Sequence, residues 1–215
     1  TENTKAILPV HCYGYPCETE RISKIASKHG LKVIYDAAHA FGVQQNGQSI
    51  LRAGDLSVLS FHATKVFNTF EGGAIICGSA EMKQHIDHLK NFGITDEVSV
   101  AELGINGKMS ELNAAIGLLQ LRHLDGEIKR REKVDMQYRK LLSHIPGIRC
   151  IKRDSAGITP NYSYFPILVE STYPVSRDQL YEKLRSNNIF PRRYFYPLIS
   201  EFQMYQDITS SSPNN

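Results

Sequence analysis

No stretch of about 18 or more apolar residues occurs in this 215-residue sequence, and no charged-then-apolar leader opens it. Neither a membrane span nor a signal peptide is therefore expected. Charge of one sign is also scarce. The formal net charge is +3 and no basic cluster stands out, which argues against nucleic acid and anionic membranes as partners. Four cysteines (Cys12, Cys17, Cys77, Cys150) are scattered without a CxxC pair. Neither a disulfide framework nor a metal-ligand set is expected, and the pattern suits a reducing compartment, the cytoplasm by default. What is present begins with 41% hydrophobic content, enough for a sizeable core in one or two domains.

The densest chemistry lies in Ser57-Val58-Leu59-Ser60-Phe61-His62-Ala63-Thr64-Lys65 and the stretch that follows to Glu71-Gly72-Gly73. Leu56, Val58, Leu59 and Phe61 read as a buried strand that ends in a polar turn presenting Lys65. Gly72-Gly73 bends the chain into a second apolar run at residues 74–77. A lysine between two buried strands is costly unless its charge is paired or its pKa falls. In that setting an amine becomes a nucleophile toward carbonyl compounds. The alternative is an ordinary surface lysine on a strand-to-strand loop. Upstream, residues 31–35 form an apolar strand that runs directly into Asp36, then Ala37-Ala38-His39-Ala40-Phe41-Gly42. Ligands of open α/β sheets lie at the carboxyl ends of strands. A strand-terminal acid there suits a cationic ring nitrogen, such as the pyridinium of pyridoxal 5'-phosphate (PLP).

Asp36-Ala37-Ala38-His39, then Ser60-Phe61-His62-Ala63-Thr64-Lys65 and Glu71-Gly72-Gly73, then Gly104-Ile105-Asn106-Gly107-Lys108-Met109 leading to Ala114-Ala115, resemble in this order the motifs of one family. It is the DegT/DnrJ/EryC1/StrS group of PLP-dependent nucleotide-sugar aminotransferases, and the resemblance runs from about residue 7 to residue 205. It implies an α/β protein of PLP-dependent transferase fold type I (aspartate-aminotransferase-like). Residues 1–109 would be the C-terminal part of the large PLP-binding domain. Residues 110–205 would be a long bridging helix and a small C-terminal α+β domain, and 206–215 a polar tail. The implied reaction moves an amino group from glutamate to a nucleotide-linked 4-keto-6-deoxy sugar, dTDP-4-keto-6-deoxyglucose becoming dTDP-4-amino-4,6-dideoxyglucose, by a ping-pong mechanism. Its setting would be sugar supply for surface polysaccharide (lipopolysaccharide O-antigen).

By the same resemblance, Lys65 takes the Schiff-base position and shuttles the proton, and Asp36 pairs with the pyridinium nitrogen. His39 lies beside the cofactor ring and its phenolic oxygen, and Ser60 bonds the phosphate. Asn106 reaches the phosphate from the partner subunit, which requires a homodimer with composite sites. His11 belongs to a His-x-Tyr-Gly loop near the cofactor, although a plain loop histidine is the alternative. Arg193, Tyr194 and Tyr196 form an aromatic, basic stretch that could stack a nucleobase and pair a phosphate, or could simply pack. Amination at C3 and an inactive homologue acting as a binding partner remain open. The dehydrase branch, which replaces the lysine by histidine, does not fit Lys65. The family carries a phosphate-cradling segment before the first strand read here and continues past the aromatic stretch. The chain is therefore expected to be cut at both ends and to hold PLP weakly by itself.

Taken in order, residues 6–10 read as a strand, 18–29 as a helix stopped at Gly30, and 31–35 as a strand, which makes a βαβ unit. Asn46-Gly47 marks a turn. Residues 79–91 are expected to be helical behind Ser79, 92–108 mostly loop, and 110–142 one long helix. Its charge run at 127–133 reads as a solvated face. Residues 162–169 read as a strand, and 176–185 as a helix behind Ser176.

Overall fold

The computed structural model describes residues 1–152 and 157–208, so residues 209–215 of the expected tail lie outside the described residues. The chain forms two compact units, Thr1–His144 with Cys150–Ile167, and Ile145–Arg149 with Leu168–Asn215.

The first unit is built on a four-stranded sheet ordered β1 (Ala6–Ile7), β2 (Lys32–Asp36), β3 (Leu56–Ser60) and β4 (Gly73–Cys77). The first three strands are parallel and β4 is antiparallel to β3. Pro9, which has no N–H to donate, follows β1. Pairing resumes beyond it, where Val10 bridges Asp36. Helix α1 (Thr19–His29) makes the crossover from β1 to β2 and ends on Gly30 in the left-handed region, φ 62°. Helix α2 (Ala80–Leu89) is capped by the Ser79 hydroxyl, which accepts from the Met82 N–H at 3.1 Å. The expected loop at 92–108 contains a short hairpin (Ile94–Asp96 with Ser99–Val100), turned by Asp96 accepting from the Val98 N–H at 3.0 Å.

Helix α3 (Glu111–Leu142) is continuous over 32 residues, and the Ser110 hydroxyl caps it. Its first turns clamp the chain downstream of Lys65. The Asn113 amide donates to the Thr69 carbonyl at 2.9 Å and to the Glu71 carbonyl at 2.6 Å. A Cβ on Gly117 would stand 3.0 Å from Thr69 Cγ2, so the glycine lets the helix approach this closely. Gly72 is tighter. Its φ is 153°, and a Cβ there would fall 2.4 Å from Thr69 Oγ1.

Two apolar clusters sit against the sheet. One gathers Ala37, Ala40, Val43, Ile50, Leu59, Phe61 and Phe67, with Phe41 and Phe67 stacked at 4.4 Å and Phe61 edge-on to Phe67. The other joins Ala26, Val33 and Tyr35. Asn46-Gly47 turns a small hairpin, as the sequence indicates, and Ile158–Thr159 adds a third strand to it.

The strand expected at 162–169 is only Ile167–Val169. Upstream, Tyr162 has φ 52°, outside the extended region, and Pro166 lacks an N–H. Residues 161–165 instead belong to the first unit as a pinned, irregular segment. A two-stranded sheet of β5 (Ile148–Cys150) and β6 (Ile167–Val169) lies in the second unit except for its end residues Cys150 and Ile167, and that unit also carries helix α4 (Arg177–Ser186) behind a capping box of Ser176 and Gln179.

Candidate active site

Parallel pairing puts Asp36 opposite Val58, two residues short of the end of β3 at Ser60. Asp36 and Ser60 therefore share the carboxyl end of the parallel sheet, where such sheets place their ligands. One oxygen of Asp36 accepts from the Ala38 N–H at 3.0 Å, which fixes the carboxylate at the strand end. Ser60 Oγ accepts from the His62 N–H at 3.4 Å, and its own hydrogen can be donated. Past Ser60 the chain turns, with the Lys65 N–H bonded to the His62 carbonyl at 2.9 Å. Closing bonds from the Phe61 N–H to the Gly72 carbonyl (2.8 Å) and from the Thr69 N–H to the Phe61 carbonyl (2.9 Å) hold the loop at its base.

The half-buried Lys65 amine donates to the Tyr164 hydroxyl at 3.3 Å. Burial pulls its pKa below the usual lysine range, while the Asp36 charge works the other way. His39 faces the same group of residues. Its Nδ1 accepts from the Tyr13 N–H at 2.9 Å, so the neutral ring carries its proton on Nε2. Burial is the main cause that lowers the His39 pKa, and the Lys65 charge adds to it. The charges of Lys65 and Asp36 both act on His39, and that of Asp36 acts on Lys65.

His11, expected among the substrate contacts, has no exposed surface. It stacks on Tyr35 with ring centroids 4.5 Å apart, and its Nδ1 accepts from the Cys17 N–H at 3.0 Å. Its buried Nε2 has no hydrogen-bond partner among the described residues. Burial pushes the imidazole down to about 4 against the pull of Asp36. This is the setting of a core histidine packed against β2, since a side chain without surface cannot touch a substrate. Asn106 stands exposed on a loop tied to the end of α2, with the Ile105 N–H on the Leu89 carbonyl (2.8 Å) and the Gly107 N–H on the Lys90 carbonyl (2.8 Å).

Arg193, Tyr194 and Tyr196 belong to the second unit. There Arg193 pairs with Asp178 at 3.2 Å and lies over the Tyr181 and Tyr196 rings at 4.5 and 5.1 Å. Tyr194 accepts from Arg192 at 3.1 Å.

Sequence reasoning did not single out Tyr164. Its only signal is the aromatic density of Tyr162-Ser163-Tyr164-Phe165.

The donor set is a carboxylate, a desolvated primary amine, a free hydroxyl hydrogen and a neutral imidazole N–H. It can hold a group with a cationic ring nitrogen, a carbonyl and a phosphate, and PLP has all three. The family model of the DegT/DnrJ/EryC1/StrS aminotransferase family matches residues 1–215. The chain belongs to that family. Among relatives of this DegT/DnrJ/EryC1/StrS member, a dTDP-4-amino-4,6-dideoxy-D-glucose transaminase of Shigella dysenteriae is 60% identical over 97% of this chain and 56% of its own length. One of the same description from Escherichia coli is 53% identical over 100% of this chain and 58% of its own. The crystal structure of DesI in the presence of its TDP-sugar product superposes with a TM-score of 0.89 at 36% identity, covering 96% of this chain and 53% of that one. The chain spans a little over half the length of these relatives.

Proposed function

We propose that this chain carries the reactive lysine and the cofactor-holding acid of a PLP-dependent sugar aminotransferase. It moves an amino group from glutamate to dTDP-4-keto-6-deoxyglucose, yielding 2-oxoglutarate and dTDP-4-amino-4,6-dideoxyglucose. The observation that carries the reading is the Lys65 amine, half-buried with a lowered pKa at the sheet end that also holds Asp36 and Ser60. The choice of sugar rests on the likeness to the two dTDP-4-amino-4,6-dideoxy-D-glucose transaminases above.

PLP, when bound, supplies a carbonyl that takes up the donor's nitrogen and a cationic ring that draws electrons from the donor's Cα. The protein does the rest. The Asp36 carboxylate keeps the ring nitrogen protonated. Lys65 Nζ, already short of solvent, takes the proton from Cα of glutamate and later delivers one to C4 of the sugar. His39 offers Nε2–H beside the ring, and the Ser60 hydroxyl donates to the phosphate. Asn106, exposed on its loop, is available to reach the phosphate of a second copy in a homodimer. The four cysteines are all free, which suits a reducing cytoplasm.

The test is Lys65→Ala in the intact protein, assayed with glutamate and a panel of nucleotide keto sugars. Turnover falls by about 10²–10⁴-fold or more, the far-ultraviolet circular dichroism is unchanged, and the visible absorbance of the lysine-linked cofactor disappears. Near-normal turnover by this variant would sink the reading. Preference for a 3-keto sugar in the unmodified protein would move the amination from C4 to C3.

A further inference from the structure

One aromatic residue at the sheet end has no part in the mechanism above. Tyr164 lies 99 residues beyond Lys65 in the chain, and its hydroxyl receives the lysine's hydrogen bond at 3.3 Å. Its ring centroid is 4.4 Å from that of His39, 5.6 Å from that of Tyr13 and 5.9 Å from Lys65 Nζ. The Tyr164 ring is tilted by about 50° against each of these two rings, which lie nearly parallel to one another at 6.2 Å.

The backbone that carries this ring is tied down on both sides. Asn161, 1% exposed, donates from its amide to the His39 and Phe41 carbonyls at 2.8 Å each and accepts from the Ser163 N–H at 3.1 Å. Tyr162 donates its hydroxyl hydrogen to Glu132 on α3 at 3.0 Å. Phe165 stacks on Tyr138 of the same helix at 5.0 Å. Arg139 sits over Phe165, donates to the Ile151 carbonyl at 3.0 Å, and pairs with the buried Asp135 at 2.8 Å. The segment is thus fixed to the loop that carries His39 and to the long helix, and Tyr164 comes to Lys65 already positioned.

We propose that Tyr164 is a positioning residue for Lys65: its hydroxyl holds the amine, and its ring, wedged against His39 and Tyr13, keeps water away from it. Two effects follow, with separate origins. The ring supplies part of the burial that weakens the ammonium form, because desolvation disfavours charge. The hydroxyl, accepting from Nζ, fixes where the amine points when it is not covalently engaged. The proposal rests on Lys65 being the reactive amine, so the test must be able to fail for either statement alone.

The measurement is competitive labelling of Lys65 by acetic anhydride as a function of pH, read by mass spectrometry on cofactor-free intact protein. This needs no turnover. In the unmodified protein the labelling midpoint lies below that of ordinary surface lysines. Tyr164→Leu removes ring and hydroxyl and lets water in, so the fraction of unprotonated Lys65 at pH 8 falls about tenfold. Tyr164→Met, whose unbranched side chain fills irregular gaps, replaces it if the leucine variant does not fold. Tyr164→Phe keeps the ring and with it the low midpoint. Loss of the one hydrogen bond lowers turnover about 2- to 10-fold with KM unchanged. An ordinary-lysine midpoint in the unmodified protein overturns the reading of Lys65 and the proposal with it. A low midpoint that neither the leucine nor the methionine variant moves overturns the proposal alone, as does a phenylalanine variant that raises the midpoint as much as they do.

Discussion

Lys65 in the first unit and Arg193 in the second differ in what holds their charge. Arg193 has a carboxylate at 3.2 Å and two aromatic faces, so its charge is committed locally. Lys65 is half-buried, and its hydrogen bond goes to a phenol. Burial without an adjacent counter-charge is what lowers an amine's pKa, and pairing is what keeps a cation a cation. Both residues sit in stretches the sequence marks as chemical. The difference lies in their partners, and it favours Lys65 as the group that changes protonation state.

The sharpest challenge to that contrast is the acid at the end of β2, which is not paired with Lys65 but whose charge reaches it. Asp36→Asn in the intact protein leaves a neutral amide at the end of β2, and turnover falls by about 100-fold or more, equivalent to roughly 3 kcal/mol of lost electrostatic preorganisation. Steady-state kinetics at saturating glutamate checks this. A loss below tenfold would place the acid elsewhere.

His11 extends the same principle to pH. Its folded-state pKa is about 4 against an ordinary 6.5, so between those values the unfolded chain binds the extra proton. Its contribution to stability is complete above pH 6.5, declines as pH falls, and is gone by about pH 4. The span is worth about 3 kcal/mol. Urea unfolding at pH 7 and pH 4.5 measures it, and His11→Gln removes most of the difference. A pH dependence unchanged by that substitution would mean that His11 is not the buried base.

Asn161→Ala strips a buried amide from two carbonyls and frees the segment bearing Tyr164. Stability falls by about 1–3 kcal/mol, read as a lower urea midpoint with unchanged slope. A near-neutral change would show that the packing of Phe165 and Tyr162 alone fixes the segment. Arg193→Gln gives the smallest effect. Half-exposed ion pairs contribute little, so turnover and KM change by less than about fivefold. A larger rise in KM for the nucleotide sugar would mean that Arg193 leaves Asp178 for the substrate, and the contrast with Lys65 would break.

The parts of the fold that rest on neighbours in sequence were legible in advance. Ser79, Ser110 and Ser176 each precede an apolar periodicity and each caps a helix. Asp36, Ser60 and Lys65 follow apolar runs of strand length, so their place at one sheet end needs only parallel pairing of β2 and β3. The segment around Tyr164 was not legible, because its conformation is decided by partners far away. Tyr162, Ser163 and Tyr164 alternate as a strand would. What bends them out of one is an amide bonded to carbonyls 120 and 122 residues earlier and a hydroxyl bonded to Glu132. The third strand of the small hairpin, from residue 158, is hidden for the same reason.

The antiparallel return of β4 sets the mechanical character of the lysine loop. Ser60 lies directly opposite Gly73, so the chain from Phe61 to Gly72 leaves and re-enters the sheet at one rung of the ladder. Its two feet stand about 5 Å apart, and the sheet measures out the loop from both sides. A residue inserted in the loop far from Lys65 can bulge outward and leave the feet where they are. A residue inserted within β3 shifts every later side chain by one, turning those that faced the core toward the opposite face. It would carry Ser60 and Lys65 away from Asp36 together. The loop is therefore the tolerant part of this structure, and the strand beneath it is the ruler that cannot be lengthened.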